Sequence, residues 1–137
     1  MKAKKDKVIL TSGTRKRAVA RARLKKGTGI VRINSKLLDN YTPEYNRLRI
    51  QEPLILGEKY ADQVDIYIRV SGGGHNGQAD ACRLAIAQAL VEFSKDAKLK
   101  KKYLEYDRHL LVADVRRREA CKPNDSAPRD KRQKSYR

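Results

Sequence analysis

Apolar and polar residues alternate in two stretches of the chain, and this alternation predicts β-strands. In Ala18–Leu24, the even-numbered positions hold alanine or leucine, and the odd-numbered positions hold valine or arginine. In Val64–Val70, valine and isoleucine alternate with Asp65, Tyr67 and Arg69. Because successive side chains of a strand point to opposite faces, each stretch has one face for a core and one for solvent. The small residues of Ala18–Leu24 are also compatible with a helix, but the alternation favours a strand.

Turn-forming residues indicate where the first strands begin and end. A strand is predicted to start at Val8–Leu10 and to reach a turn or bulge at Ser12–Thr14. Lys26–Gly29 contains two glycines and predicts a turn between Ala18–Leu24 and a further strand at Ile30–Asn34. Two strands joined by so short a turn are expected to pair as a β-hairpin.

A helix is predicted in the middle of the chain. Thr42-Pro43-Glu44 combines an N-cap residue, a proline at the first helical position and a carboxylate that the helix dipole favours. We expect the helix to run to about Gln51, and Pro53 to kink or restart it. Leu54–Leu56 is expected to be buried before Gly57 ends the element.

A longer helix is predicted from about Gly77 or Gln78 to Ser94. Its apolar stripe comprises Ala79, Cys82, Ile86, Ala89, Leu90 and Phe93, and its polar side comprises Asp80, Arg83 and Glu92. A short lysine-rich helix is predicted at Ala97–Leu104, and Leu110–Val112 is expected to dock on the domain.

These elements predict an α/β (α+β) fold, a two-layer sandwich in which a small sheet of about four strands carries helices on one face. The 137 residues are the usual size of one domain. We expect a basic N-terminal arm at residues 1–7, a globular RNA-binding domain at residues 8–115 and a long, extended basic C-terminal tail at residues 116–137.

The basic charge of the chain is concentrated in its two ends. Residues 1–32 hold twelve lysines and arginines against one acidic residue, and residues 116–137 hold nine against three. Residues 33–115 hold twelve of each, so the formal net charge of +17 comes entirely from the ends. Charge needed only for solubility would be spread over the surface. Segregated charge indicates a dedicated anionic partner, and it favours nucleic acid over an anionic membrane.

Other classes of function find little support in the sequence. No apolar run approaches the roughly 20 residues that span a bilayer, so no membrane partner is expected. Cys82, Cys121, His75 and His109 show no metal-ligand spacing, and neither a metal site nor a cofactor is predicted. No set of residues specifies the catalytic machinery of an enzyme.

The loop after Val64–Val70 is rich in glycine and leaves three interpretations open. Gly72, Gly73, Gly74 and Gly77 satisfy the spacing of a dinucleotide-binding fingerprint between a strand and a helix. The chain lacks a clear parallel strand with an acidic end after that helix, so this interpretation is disfavoured. The glycines serve either as a strand-to-helix turn with positive φ or as a backbone approach to RNA phosphates at a helix N-terminus.

Basic clusters carry the strongest functional signal. In the N-terminal third they are expected to form one continuous phosphate-binding face, comprising Arg15, Lys16, Arg17, Arg21, Arg23 and Lys25. The tail adds Arg116, Arg117, Arg118, Arg129, Lys131 and Arg132. The lysines of Lys98–Lys102 form a further patch, for which a merely solvated surface is equally expected. Arginine suits bidentate phosphate contacts, and Tyr136 offers a ring for stacking on a base or ribose.

Four stretches of the chain resemble, in the same order, the universal ninth protein family of the small ribosomal subunit. They read SGTRKRAVARA at residues 12–22, EPL at residues 52–54, GGGHNGQA at residues 72–79 and KRQKSYR at residues 131–137. Each stretch alone is a weak signal, but their order is specific and spans nearly the whole chain. The last stretch resembles the archaeal and eukaryotic branch of the family.

This resemblance implies a small mixed sheet with a left-handed β-α-β crossover. It also implies a non-catalytic, ribosome-bound protein of the cytoplasm that binds rRNA in the head of the small subunit, beside neighbouring head proteins. The family's tail approaches the peptidyl-site tRNA. Mapped onto this sequence, the tRNA-contacting residues are Lys134, Ser135, Tyr136 and Arg137.

Overall fold

Five strands form one mixed sheet in the computed structural model, which describes residues 8–136. They are β1 (Ile9–Arg15), β2 (Ala18–Lys26), β3 (Val31–Ile33), β4 (Lys36–Leu37) and β5 (Val64–Ser71). Their order across the sheet is β1-β2-β5-β3-β4, and all neighbours are antiparallel except β3 and β5. Both alternating stretches are strands, as predicted. The expected number of about four strands is one too low because β4 has only two residues and no alternation to reveal it.

The second layer consists of helices that lie on one face of the sheet. Within residues 8–136 they are α1 (Glu44–Leu56), α2 (Glu58–Ala61), α3 (His75–Ser94) and α4 (Ala97–Tyr106). α3 packs across β1, β2 and β5, while α1 and α4 pack against α3. The predicted two-layer α/β fold is therefore confirmed. No helix in this part of the chain combines the length and the apolar character needed to cross a membrane.

Small residues allow α3 to lie directly on the sheet. The three alanines of β2 are at most 1% exposed. A Cβ added to Gly13 would lie 2.1 Å from the carbonyl oxygen of Ala81, so β1 touches the helix backbone itself. The hydroxyl of Thr11 donates a hydrogen bond to the carbonyl of Ala85, at 2.8 Å. This close contact fixes which face of β1 and β2 is covered and leaves the other face open.

The predicted hairpin between β2 and β3 is wrong. β2 instead pairs with β1 through a turn at Lys16, which adopts a positive φ of 55°, and Ser12–Thr14 lies inside β1 rather than in a turn. The segment after β2 is attached to β5, because the N–H of Gly27 donates to the carbonyl of Gln63, at 3.0 Å. The carboxylate of Asp65 also accepts hydrogen bonds from the N–H groups of residues 28 and 30. These contacts carry the chain past β2 and place β3 beyond β5.

β3 and β5 form the parallel pair of the sheet, with Ile33 opposite Ile68. The chain between them passes through β4, α1 and α2, so the two strands and α1 constitute a β-α-β unit. This unit accounts for the mixed character of the sheet. The left hand of its crossover stays a prediction.

α1 is longer than predicted. It continues without a break through Pro53, so the expected end at Gln51 is wrong, while the predicted stop at Gly57 is confirmed. Pro53 is buried, and its carbonyl accepts a hydrogen bond of 2.7 Å from the hydroxyl of Tyr103 on α4. Tertiary contact thus outweighs the local preference of proline to end a helix. Ile55, expected to be buried, is 68% exposed because it lies on the outer side of α1.

α3 and α4 also differ from the prediction at their ends. α3 begins at His75, at least two residues early, and α4 extends to Tyr106. Arg83 was assigned to the polar side of α3 but is only 6% exposed. It lies between Glu52 of α1 and Asp107, the residue after α4, and these carboxylates make its burial possible.

The chain leaves the domain next to β1. Leu110 is buried as expected, and Asp114 forms an isolated parallel bridge with Arg15. Residues 115–124 are exposed and hold no helix or strand. The division between residues 8–115 and residues 116–137 stays a prediction. The predicted arm at residues 1–7, and Arg137, lie outside the described residues.

Candidate nucleic-acid interface

The uncovered face of the sheet carries a concentration of basic side chains. Arg21 and Arg23 of β2 are exposed on it, and Lys25 is half-buried. β5 lies next to β2 and adds the half-buried Tyr67 and the exposed Arg69. Since the apolar residues of both strands face α3, the alternation itself directs these polar side chains away from the core.

Strand register arranges the side chains in rows across the sheet. The central row consists of Leu10, Arg23, Tyr67, Arg32 and Leu37, one residue from each strand. In the next row, Arg21 is directly opposite Arg69. Neighbouring strands lie about 5 Å apart, so Tyr67 has an arginine on the adjacent strand on both sides.

The four arginines of this face lack acidic partners in the described part of the chain. Among residues 8–136, no carboxylate oxygen lies within 4.0 Å of the guanidinium groups of Arg21, Arg23, Arg32 or Arg69. Like charges that face each other across a strand pair destabilise a sheet. The arrangement is therefore suited to a polyanion, which would neutralise the repulsion.

Asp65 lies beside Lys25 at one end of this face, and it is only 8% exposed. Its carboxylate accepts hydrogen bonds from the backbone N–H of Thr28 (2.9 Å) and Ile30 (3.2 Å) and lies 3.9 Å from the ammonium of Lys25. The Thr28 hydrogen bond is the main reason that the pKa of Asp65 is lowered, with further help from Ile30 and Lys25. The ammonium of Lys25 also lies 5.1 Å from the ring centroid of Tyr67.

A broad groove of about 1400 Å³ lies over these rows. Outward-facing residues of β1, β2, β3 and β5 line it, including Leu10, Arg23, Arg32, Tyr67 and Arg69. Its walls thus alternate between cationic and apolar or aromatic groups. Such a surface can bind phosphates and planar bases side by side.

The turn between β1 and β2 forms a second basic site at the end of the sheet. Lys16 and Arg17 are exposed there. A guanidinium nitrogen of Arg117 donates a hydrogen bond of 2.9 Å to the carbonyl of Lys16, which brings the start of the tail to the same place. No local pattern predicts that these two residues, about a hundred positions apart, contact each other.

The glycine-rich loop lies against this turn. Gly72 and Gly73 have positive φ angles of 77° and 63°, and a Cβ added to Gly72 would lie 2.4 Å from the carbonyl oxygen of Arg17. Gly74 is the N-cap residue of α3 and makes no side-chain capping bond, and Gly77 lies in the first turn of the helix. The exposed N-terminus of α3 thus lies beside Arg17, an arrangement that favours anions.

Arg15 does not belong to the open face, although it was expected there. As an odd-numbered residue of β1 it points toward the helices, where its guanidinium lies 3.0 Å from Asp114 and 3.6 Å from Asp80. Asp80 also pairs with Arg49 of α1, at 2.9 Å. Hydrogen bonds from Arg116, the shortest at 2.6 Å, hold the pKa of Asp114 well below its usual range. Arg15 therefore links β1 to the residues from which the tail departs.

Tail residues 116–136 are largely exposed, and several of their arginines pair with nearby carboxylates. Arg129 pairs with Glu119 at 2.9 Å and Arg132 with Asp125 at 3.3 Å. Exposed pairs of this kind contribute only about 0–1 kcal/mol, so a phosphate can replace the carboxylate. The other predicted tail contacts in this range, Arg118, Lys131, Lys134, Ser135 and Tyr136, are exposed, and Arg137 lies outside the described residues.

The charge pattern predicts a basic face with Arg21, Arg23 and Lys25, but it does not predict that Arg32, Tyr67 and Arg69 share that face. The alternation in Val64–Val70 already placed the last two on a polar face. The pairing of β5 with β2 makes the two polar faces continuous, and this pairing is not predicted from the sequence. The wrong hairpin assignment hid this connection.

Comparisons with known proteins find similarity to ribosomal proteins. The family model described as ribosomal protein S9/S16 matches residues 13–137. The chain is 48% identical over 133 residues to the small ribosomal subunit protein uS9 of Methanococcus maripaludis strain C5, and this alignment covers 96% of the chain and 99% of that protein. The corresponding protein of strain C7 matches with the same identity and coverage.

Proposed function

The chain belongs to the ribosomal protein S9/S16 family, and we propose that it binds rRNA in the head of the small subunit and extends its tail toward the peptidyl-site tRNA. As a member of this family it is a structural protein of the small ribosomal subunit and not an enzyme. It acts in the cytoplasm as part of the ribosome, and its protein partners are its neighbours in the subunit.

The observation that supports rRNA binding most strongly is the open sheet face. Arg21 and Arg69 face each other there with no carboxylate of residues 8–136 within 4.0 Å, a costly arrangement for a protein that works alone. rRNA phosphates would offset the repulsion and accept bidentate hydrogen bonds from the guanidinium groups. Arg23, Arg32 and Lys25 extend the same surface.

The turn and the glycine-rich loop supply a second proposed rRNA contact. Lys16 and Arg17 provide charge, and the backbone N–H groups at the start of α3, after Gly72–Gly74, provide donors for a phosphate. The proposed contacts continue along the tail through Arg116, Arg117, Arg118, Arg129, Lys131 and Arg132. Arg15 takes part indirectly, because its pair with Asp114 positions the start of the tail.

Neighbouring proteins of the head would contact α1. Tyr45, Leu48 and Ile55 lie on one side of this helix and are between 53% and 68% exposed. A row of large apolar side chains at this spacing is suited to packing against another protein.

Sedimentation tests the rRNA proposal. A tagged wild-type chain should sediment with small subunits in a lysate of the cells from which the sequence comes. The double variant Arg21→Glu/Arg69→Glu should shift toward the free fractions, because two phosphate contacts become repulsive. Lys59→Glu/Arg108→Glu changes the net charge equally at exposed positions outside the proposed rRNA contacts and should sediment like the wild type. If the two double variants behave alike, the sheet face is not the rRNA-binding surface.

The tail is long enough to act far from the domain. From Arg116 onward, 22 residues of extended chain can span about 70 Å. Tyr136 is 87% exposed and offers a ring for a ribose or base, while Lys134 and Arg137 offer charges for the phosphates of a tRNA. Ser135 adds a hydroxyl between them.

A truncation tests the tRNA proposal separately. Deleting Tyr136 and Arg137 should leave incorporation into small subunits unchanged but lower the affinity of those subunits for peptidyl-site tRNA, measured by filter binding. Replacing Gln133 by alanine provides a control within the same tail. Unchanged tRNA affinity after the deletion would contradict this role.

A further inference from the structure

Tyr67 occupies the centre of the open sheet face. Arg23 and Arg32 are its partners on the two neighbouring strands, so the aromatic ring lies in a row between two guanidinium groups. Leu10 lies at the β1 end of the same row and is 73% exposed. These residues line the groove of about 1400 Å³.

A face that bound only phosphates would have no need of these side chains. Phosphate contacts require cations and N–H donors, whereas Tyr67 and Leu10 add an aromatic surface and an apolar one. Tyr67 is half-buried in the middle of this charged face and Leu10 is exposed at its β1 edge, and apolar groups in such positions indicate contact with something that is itself partly apolar. In RNA, the faces of the bases have this property, and they are accessible only where the bases are unpaired.

We infer that Tyr67 stacks on an unpaired base of rRNA while Arg23 and Arg32 bind the adjoining phosphates. The inference rests on the proposed function of the sheet face and specifies its ligand as a bulged or looped nucleotide rather than a continuous duplex. Lys25, 5.1 Å from the ring centroid, supplies a cation beside the stack. The base lies against the ring surface that Lys25 leaves open, or takes the place of the flexible lysine.

Duplex RNA does not fit this arrangement. Its bases are stacked on one another, its major groove is deep and narrow, and it presents phosphates and 2′-hydroxyls to a protein surface. A duplex could contact the arginines but not the ring of Tyr67. Tyr67 should therefore distinguish RNA that has an unpaired nucleotide from RNA that does not.

A matched pair of RNA hairpins tests this inference with the full-length protein. One hairpin is a continuous 12-base-pair stem, and the other carries a single bulged 5-bromouridine in the same stem. Fluorescence anisotropy should show that Tyr67→Leu weakens binding of the bulged hairpin by about 5- to 150-fold, the usual range for loss of one stacked base. Binding of the continuous hairpin should change less than twofold. Tyr67→Phe, which keeps the ring, should bind both hairpins like the wild type.

Ultraviolet crosslinking locates the contact without a substitution. Irradiation of the wild-type complex should join the bulged bromouridine to Tyr67, identified by mass spectrometry. This readout decides the matter if Tyr67→Leu proves to be unfolded by circular dichroism. Tyr106→Leu, on the exposed surface of α4, is the control and should leave binding and crosslink unchanged.

The outcomes separate this inference from the proposed function. Equal loss of both hairpins in Tyr67→Leu, no loss at all, or a crosslink confined to other residues would overturn the stacking of Tyr67. Arg21→Glu should weaken both hairpins. If Arg21→Glu weakens both and Tyr67→Leu weakens neither, the sheet face binds RNA and only the stacking is wrong. If neither variant changes binding, the sheet face itself is the wrong surface.

Discussion

The buried guanidinium of Arg83 provides the sharpest test of how the domain is held together. Its side chain is only 7% exposed and lies 2.5 Å from Glu52 and 2.7 Å from Asp107. The side chains of the two carboxylates are 30% and 32% exposed, so water reaches them but hardly reaches the arginine. Burial alone raises the pKa of Asp107, but hydrogen bonds from Arg83 and His109 outweigh this effect, and the pKa is lowered.

This difference in exposure makes the two sides of the cluster unequal. Arg83→Met leaves two carboxylates that water can solvate, and it should lower the free energy of unfolding by about 1–3 kcal/mol. Glu52→Gln/Asp107→Asn leaves a buried guanidinium without a counter-charge and should cost about 3–5 kcal/mol. Asparagine at position 107 keeps an oxygen for the N–H of His109, so the double variant removes mainly charge.

Urea denaturation followed by circular dichroism at constant m-value measures these differences. Glu58→Gln, on the exposed surface of α2, is the control and should stay within about 0.5 kcal/mol of the wild type. The triple variant, with Arg83→Met added to Glu52→Gln/Asp107→Asn, should be more stable than the double variant because the buried charge is gone. A double variant that costs less than Arg83→Met, or a triple variant less stable than the double, would refute this account.

Three further predictions concern other parts of the chain. Burial raises the pKa of the Cys82 thiol to about 12, while Cys121 is exposed, so Ellman's reagent at pH 8 should label Cys121 rapidly in the native protein and Cys82 only after unfolding. The pKa of Asp114 is lowered in the folded state, so the stability that this carboxylate contributes is fully present above its unfolded pKa and is lost as the pH falls through its folded pKa. In urea titrations, the difference in free energy of unfolding between the wild type and Asp114→Asn should therefore vanish in acid. Gly13→Ala should destabilise the protein by about 1–3 kcal/mol or more, because its Cβ would overlap the backbone of α3. Gly74→Ala meets no atom within 4 Å, so it should lower the unfolding temperature in calorimetry much less than Gly13→Ala, by no more than the loss of a glycine N-cap explains.

Local patterns sufficed to predict the strands and helices but not how the strands pair. The alternation in Ala18–Leu24 and Val64–Val70 has a period of two that only a strand with one buried face satisfies, and both are strands. The partner of each strand depends on contacts between distant residues. Asp65 attaches the loop after β2 to β5, and nothing near Asp65 in the sequence indicates this. The hairpin prediction was wrong for that reason.

The candidate interface was predicted in part for the same reason. Arg21 and Arg23 were recognisable from their own strand, but Arg69 and Tyr67 join them only through the pairing of β5 with β2. The charge of Arg15 suggests that it belongs to the basic face, but its odd-numbered position in β1 places its side chain on the helix side of the sheet. Arg83 has the composition of a surface residue, and its burial depends on carboxylates from two other elements.

The unpaired arginines of the open face bear on the stability of protein copies that are not bound to rRNA. Arg21 and Arg69 face each other in the free protein, so the proposed contact with RNA would relieve their repulsion and add stability that unbound copies lack. A ligand present at a hundred times its dissociation constant stabilises the folded state by about 2.7 kcal/mol. Under the proposed function, copies made in excess of rRNA are expected to unfold more often and to be degraded sooner. The proposed rRNA-binding surface would then also match the abundance of the protein to the supply of rRNA.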